Sequence, residues 1–222
     1  MNTNLDLNVL AKQVHNAARE KGFWDKPRNI GELFMLIVSE NGEGLEAHRS
    51  NKFTHNINSL SGLAQGNDAE KIRYKTEFEA SVKDTFEDEV ADVVIRLLDF
   101  VGWWMVSSMG IQLEYYRKKP KFQLVEPNVG ETMLLVCGCL YKAYKACKKS
   151  LKAYEAYERT EYHSEYILLQ EREQIAKLEK HINHALAYLY NLSDFCGFDL
   201  NKHILAKMRY NTTREYLHGK AY

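Results

Sequence analysis

Proline and cysteine are both scarce, three and four in 222 residues, and neither is arranged as a scaffold. The prolines stand at 27, 120 and 127, positions that suit linkers between apolar stretches. Cys137, Cys139, Cys147 and Cys196 fall inside helical apolar patterns and not at framework spacing, which excludes a disulfide scaffold and suits a reducing compartment, with Cys137 and Cys139 expected as buried thiols. Charge of one sign is missing as well. Thirty Lys and Arg balance 30 Asp and Glu, so there is no basic excess to hold a stable nucleic-acid partner. The most apolar stretch, Val93 to Met109, carries Arg96 and Asp99 and is too short and too charged to span a bilayer. The opening residues MNTNLDLNVLAKQ lack a basic segment followed by an apolar run. A cytoplasmic chain with no membrane partner is expected.

What is present is helical periodicity. With 45% hydrophobic residues the chain can bury a real core. Apolar positions recur at spacings of three and four almost throughout, with no sustained strand alternation. The spacing predicts helices over about 4–20, 30–49, from Thr85 past Trp104, from Asn128, over about 165–195, and a short one opening at Asp199. Asn29 is the expected N-cap of the second, with Glu32 completing a capping box. Residues 50–82 read as a polar connection with one helix near its end. Asn29-Ile-Gly-Glu32 returns as Asn128-Val-Gly-Glu131, and Asp99-Phe-Val-Gly102 as Asp194-Phe-Cys-Gly197. Two helical hairpins of one plan would form a duplicated all-α bundle, residues 1–222 acting as one domain.

Glu40 and Glu43 stand three apart on the second helix, and Glu89 and Asp92 repeat that spacing on an otherwise apolar helix. Antiparallel packing would gather four carboxylates, which repel and raise one another's pKa unless a cation neutralises them. An all-oxygen donor set favours Mg²⁺, with Mn²⁺ as a substitute, over zinc. Glu-x-x-His occurs only as Glu215-Tyr-Leu-His218, in the C-terminal segment and not on the helices that carry the paired carboxylates, which disfavours a carboxylate-bridged redox site. The spacing alone leaves a second reading open, charges on a solvated face. Near the C-terminus, Lys207, Asn211, Arg214, His218 and Lys220 read either as a flexible donor-rich segment able to reach phosphates or as a plain basic tail.

GFWDKPRNIGELFMLIVSENGEGLEAHR (Gly22 to Arg49), DTFEDEVADVVIRLLDFVG (Asp84 to Gly102) and KMRYNTTREYLHGKAY (Lys207 to Tyr222) together resemble the MazG-like branch of the all-α nucleoside triphosphate pyrophosphohydrolases. The resemblance covers roughly residues 8–102 and 195–222, and dimeric deoxyuridine triphosphatases of the same superfamily look similar. It implies a MazG-like helical bundle in which Glu40, Glu43, Glu89 and Asp92 hold Mg²⁺. It further implies a (d)NTP substrate split into monophosphate and pyrophosphate, with Glu43, aided by Glu40, acting on the attacking water. Trp24 is placed against the base, and Lys207, Asn211, Arg214, His218 and Lys220 against the phosphates.

The second hairpin lacks this chemistry: the positions matching Glu40 and Glu43 are Cys139 and Lys142. Residues 1–122 are therefore expected to form the carboxylate-bearing half. Residues 123–222 would be a degenerate half ending in the basic tail, so that a monomer mimics a dimer, alone or in a homo-oligomer. Gly42 and Gly44 cost the second helix about 1 kcal/mol each. They keep a non-catalytic nucleotide sensor or helical interaction module in view as the alternative.

Overall fold

The computed structural model describes residues 5–60, 63, 67–107, 113, 128–159 and 165–219. Among these the chain is all-α: seven helices, two 3-10 turns and no strand. None of the helices among the described residues is long and apolar enough to cross a membrane. The basic break at 117–122 and the boundary between the two expected halves lie outside the described residues.

Local chemistry places the helix starts. α1 (Leu7–Glu20) begins after Asp6, whose carboxylate accepts the Asn8 and Val9 N–H groups. α2 (Ile30–Arg49) begins after Asn29, whose side chain accepts from Gly31 and Glu32. The reciprocal capping box forms instead at Asn67 and Glu70, at the head of α3 (Asp68–Ser81). α4 (Phe86–Val106) is capped by Thr85 and α7 (Leu200–Thr212) by Asp199. Between them run the long helices α5 (Val129–Arg159) and α6 (Glu165–Cys196).

α4 is the central helix, apolar nearly all round and buried accordingly. α1 lies antiparallel against it, with His15 beside Asp99 and Ala11 beside Gly102. α2 packs on another side, and the ring of Phe34 meets that of Phe100 at 4.9 Å. α5 and α6 form a long hairpin that reaches the rest through α5 on α2 and α6 on α4, and α7 returns to α4. A smaller cluster of Leu60, Tyr74, Phe78, Val82 and Tyr210 ties α3 to α7.

Both Asn-x-Gly-Glu tetrads open long helices, the Asn128 side chain accepting the Glu131 N–H at 3.0 Å. The Asp-Phe-x-Gly echoes differ: the first lies inside α4, while the second runs off the end of α6, Gly197 turning at φ +77°.

Two glycines decide how closely helices approach. A Cβ at Gly102 would lie 2.4 Å from the Ala11 carbonyl oxygen and 2.5 Å from His15 Cβ, so α1 rests directly on the α4 backbone there. Gly102→Ala should destabilise the fold by about 1–3 kcal/mol, or roughly 2–12 °C in Tm; an unchanged thermal melt would mean that α1 can shift freely. On α2, Gly44 faces Met133, whose Cε would sit 2.9 Å from an added Cβ, whereas Gly42 has nothing within 4 Å. Neither interrupts the helix.

Candidate active site

The buried face of α2 runs Leu33, Ile37, Glu40, Gly44, Ala47, so Glu40 falls in the seam against α4. From α4, Glu89 and Asp92 point into the same seam, and one oxygen from each of these three residues lies within 4.8 Å of the others. Glu40 and Glu89 are 6% and 5% exposed, so the repulsion is not relieved by water. Burial first, then the charges of Asp92, Asp88 and Glu40, push the Glu89 carboxyl up from 4.5 to about 9, against the pull of Lys207. Its Oε2 is buried and has no hydrogen-bond partner.

Two side-chain cations enter this seam. Arg96, one turn beyond Asp92, brings Nε and Nη2 to 2.5 Å from Glu40 Oε1. Lys207 of α7 places Nζ 2.7 Å from both Asp88 Oδ2 and Asp92 Oδ2. Asp88 is fully buried, and desolvation raises its carboxyl to about 7 even with Lys207 beside it. Lys207 is itself buried, which opposes its charge, but Asp92 and Asp88 outweigh that and hold its pKa well above the ordinary value.

Beside the seam opens a cavity of about 760 Å³ between α1, α2, α3, α4 and α7. Six basic residues line it, Lys21, Arg28, Lys71, Arg96, Arg209 and Arg214, against three acids, Glu20, Asp92 and Asp99. The balance favours an anion. Several cations are preset: Arg209 stacks 3.8 Å over the Tyr74 ring and donates to the Leu63 carbonyl, and Lys21 donates to the carbonyls of Thr212 and Arg214. Arg28 donates through Nη1 to the Phe23 carbonyl, while its Nε and Nη2 are buried without partners, as is Asn211 Oδ1. Val14, Ala17, Leu33, Leu36 and Ile95 supply an apolar wall.

The expected residues divide as follows. Glu40, Glu89 and Asp92 come together; Glu43 is exposed and stays outside that group, because the seam takes every third or fourth residue and position 43 lies to one side of it. Asn211 and Arg214 line the cavity. Lys207 is not in a flexible tail. It sits on the inner face of α7, in line with Leu200, His203 and Ile204, and its ammonium is a buried counter-ion. His218 falls in the 3-10 turn Tyr216–Gly219, and Lys220 lies outside the described residues. Trp24 does not line the cavity. Its indole stacks on Trp103 at 5.6 Å and donates to Asp99; Phe23 is the aromatic residue from that segment on the cavity wall.

Asp88, Arg96, Asp99, His15, Lys21 and Arg28 were not singled out as site residues from sequence. For two of them a signal existed: Asp92, Arg96 and Asp99 form an i, i+4, i+7 stripe of charge on an apolar helix, the same anomaly that marked Glu89. Compared with protein-family models, with curated proteins and with solved structures, the chain matches none.

Proposed function

We propose that this chain is a Mg²⁺-dependent nucleoside triphosphate pyrophosphohydrolase, converting a (d)NTP to (d)NMP and pyrophosphate. The observation that carries this reading is the junction of two features: three converging carboxylates at the edge of a cavity lined by six cations. The sequence resemblance to MazG-like enzymes points the same way. All three donors are hard oxygens, and the buried Glu89 Oε2, which has no hydrogen-bond partner, is an atom that a divalent cation would satisfy, so the residues fit Mg²⁺ or Mn²⁺. When bound, such an ion offsets charge developing on phosphate oxygens as the α–β bond breaks.

The chain's own groups carry the remaining work. Glu40, Glu89 and Asp92 would hold the ion. Glu43 stands outside the converging group, so of the two acids expected to act on the attacking water it is Glu40 that would orient or deprotonate it. Arg214 and Lys21 hold the leaving pyrophosphate by charge-assisted hydrogen bonds, with Asn211 beside them. The apolar wall keeps bulk water from the reacting phosphate. The protein is read as cytoplasmic, with its second half standing in for a partner subunit.

Asp92→Asn should lower Mg²⁺-dependent pyrophosphate release by about a hundredfold or more while the far-UV circular dichroism stays that of a helical bundle. Undiminished release from the variant would remove Asp92 from the site and with it this reading. Tight nucleotide binding by the wild-type chain with no turnover would favour the non-catalytic sensor.

A further inference from the structure

The α5–α6 hairpin outruns the helix it packs on. α2 lies antiparallel along the first part of α5: Leu45 sits beside Gly130, Asn41 donates to the Met133 carbonyl, and Phe34 meets the Tyr144 ring at 5.9 Å. There α2 comes to its end, at Ile30. Residues 145–159 of α5 run on for about 22 Å at 1.5 Å per residue, with residues 165–180 of α6 beside them. Burial thins out along this arm. Among the described residues α5 has no buried side chain after Ser150, and α6 has only Glu171 before Leu178. Two helices cover only the seam between them, and a third surface is needed to cover the rest. Tyr154, Tyr166 and Leu169 are accordingly 40%, 67% and 55% exposed, Tyr166 and Leu169 sharing one face of α6.

Charge divides the arm in two. Lys142, Lys145, Lys148, Lys149 and Lys152 are exposed around its base with no acid between them in the chain. None of the five has an ion-pair partner among the described residues. Toward the tip the sign reverses: Glu155, Glu158 and Glu165 are exposed, with Arg159 as the one cation among the residues described there. A polyanion such as a nucleic acid would suit the base and be repelled by the tip. A rod with one basic and one acidic end is complementary to itself, and in one orientation only, antiparallel.

We propose that this arm is a docking surface for a second copy of the chain. The two arms lie side by side about a two-fold axis, so that the acids of each tip meet the lysines of the other base. The exposed Tyr and Leu side chains are then covered in the same contact, which a partner recognising the lysines alone would leave open. No residue of α5 or α6 lines the cavity, so both copies keep theirs. The association therefore stands independently of the nucleotide reading.

Sedimentation equilibrium of the full chain at low salt tests this. The wild type should sediment at twice the 25.8 kDa chain mass at micromolar concentration and dissociate as salt is raised. Two variants then read the orientation, a base variant with Lys145→Glu and Lys149→Glu and a tip variant with Glu155→Lys and Glu158→Lys. Either alone places like charges at both ends of the contact and should weaken the dimer about 10-fold or more. Mixed in equal amounts, they restore opposite charges at both ends, and the dimer should return. All four positions are exposed, so the helical circular dichroism should not change. A wild-type chain that stays monomeric would overturn the proposal whether or not the variants fold. A wild-type dimer that both variants keep would place the contact elsewhere, and a mixture no tighter than its components would overturn the antiparallel arrangement.

Discussion

Lys207→Met should lower the Tm by about 6–20 °C, because it strands a fully buried carboxylate. Asp88 is 0% exposed and Lys207 is 5% exposed; the ammonium touches both Asp88 and Asp92 at 2.7 Å. Forming such a pair in place of apolar residues gains little, but removing one partner leaves an uncompensated interior charge and costs about 3–5 kcal/mol. In a chain of this size each kcal/mol moves the Tm by about 2–4 °C. The penalty should shrink toward low pH, where Asp88 can take up a proton. Asp88→Asn should restore most of the loss in the double variant, since it removes the stranded charge. A Lys207→Met chain that melts within 2 °C of the wild type would free Lys207 for the substrate role that its place near the C-terminus first suggested.

The second large effect concerns Glu89 and pH. In the presence of EDTA the wild-type chain should lose stability as the pH rises from neutral to 9, and Glu89→Gln should remove most of that loss. The sign follows from the protons bound. Glu89 titrates at about 9 in the folded chain against 4.5 unfolded, so between those values the native state holds a proton that the unfolded state has released. Stability then falls with rising pH, by at most about 1.4 kcal/mol per unit for a single proton. Asp88, raised from 3.8 to about 7, adds the same slope at lower pH, which makes the interval above pH 7 the part owed to Glu89. Over two units the effect is about 2–3 kcal/mol, or roughly 5–10 °C. Saturating Mg²⁺ should flatten the wild-type profile, because a bound cation favours the ionised carboxylate, and should do little for Glu89→Gln. A wild-type Tm that rises with pH in EDTA would mean that Glu89 is ionised and paired without a metal.

How much of this was legible in the chain depended on how local each determinant is. The caps at Asn29, Thr85, Asn128 and Asp199 are written within a few residues, and the helices begin where those residues stand. Glu40, Glu89 and Asp92 were readable as acids interrupting apolar stripes. Glu43 looked equivalent to Glu40 in spacing, yet only the line at which α2 meets α4 decides which of the two enters the seam, and that line is a tertiary property. Lys207 was hidden differently. Its helical spacing with Leu200, Ile204 and Tyr210 was visible, but an inward lysine makes sense only with Asp88, 119 residues away. The same holds for Phe23 and Trp24. Gly22 turns the chain at φ +83°, after which Phe23 lines the cavity and Trp24 folds behind Asp99. Neighbours in sequence thus receive different tasks from a turn that spacing does not reveal.

The most direct test of the reaction is to identify its products. Folded full-length chain, Mg²⁺ and each of the common deoxynucleoside triphosphates would be incubated and separated by anion exchange. The expected result is equal amounts of monophosphate and pyrophosphate from at least one of these nucleotides, and none in EDTA. Diphosphate with inorganic phosphate, or intact triphosphate throughout, would contradict a pyrophosphohydrolase built on Glu40, Glu89 and Asp92.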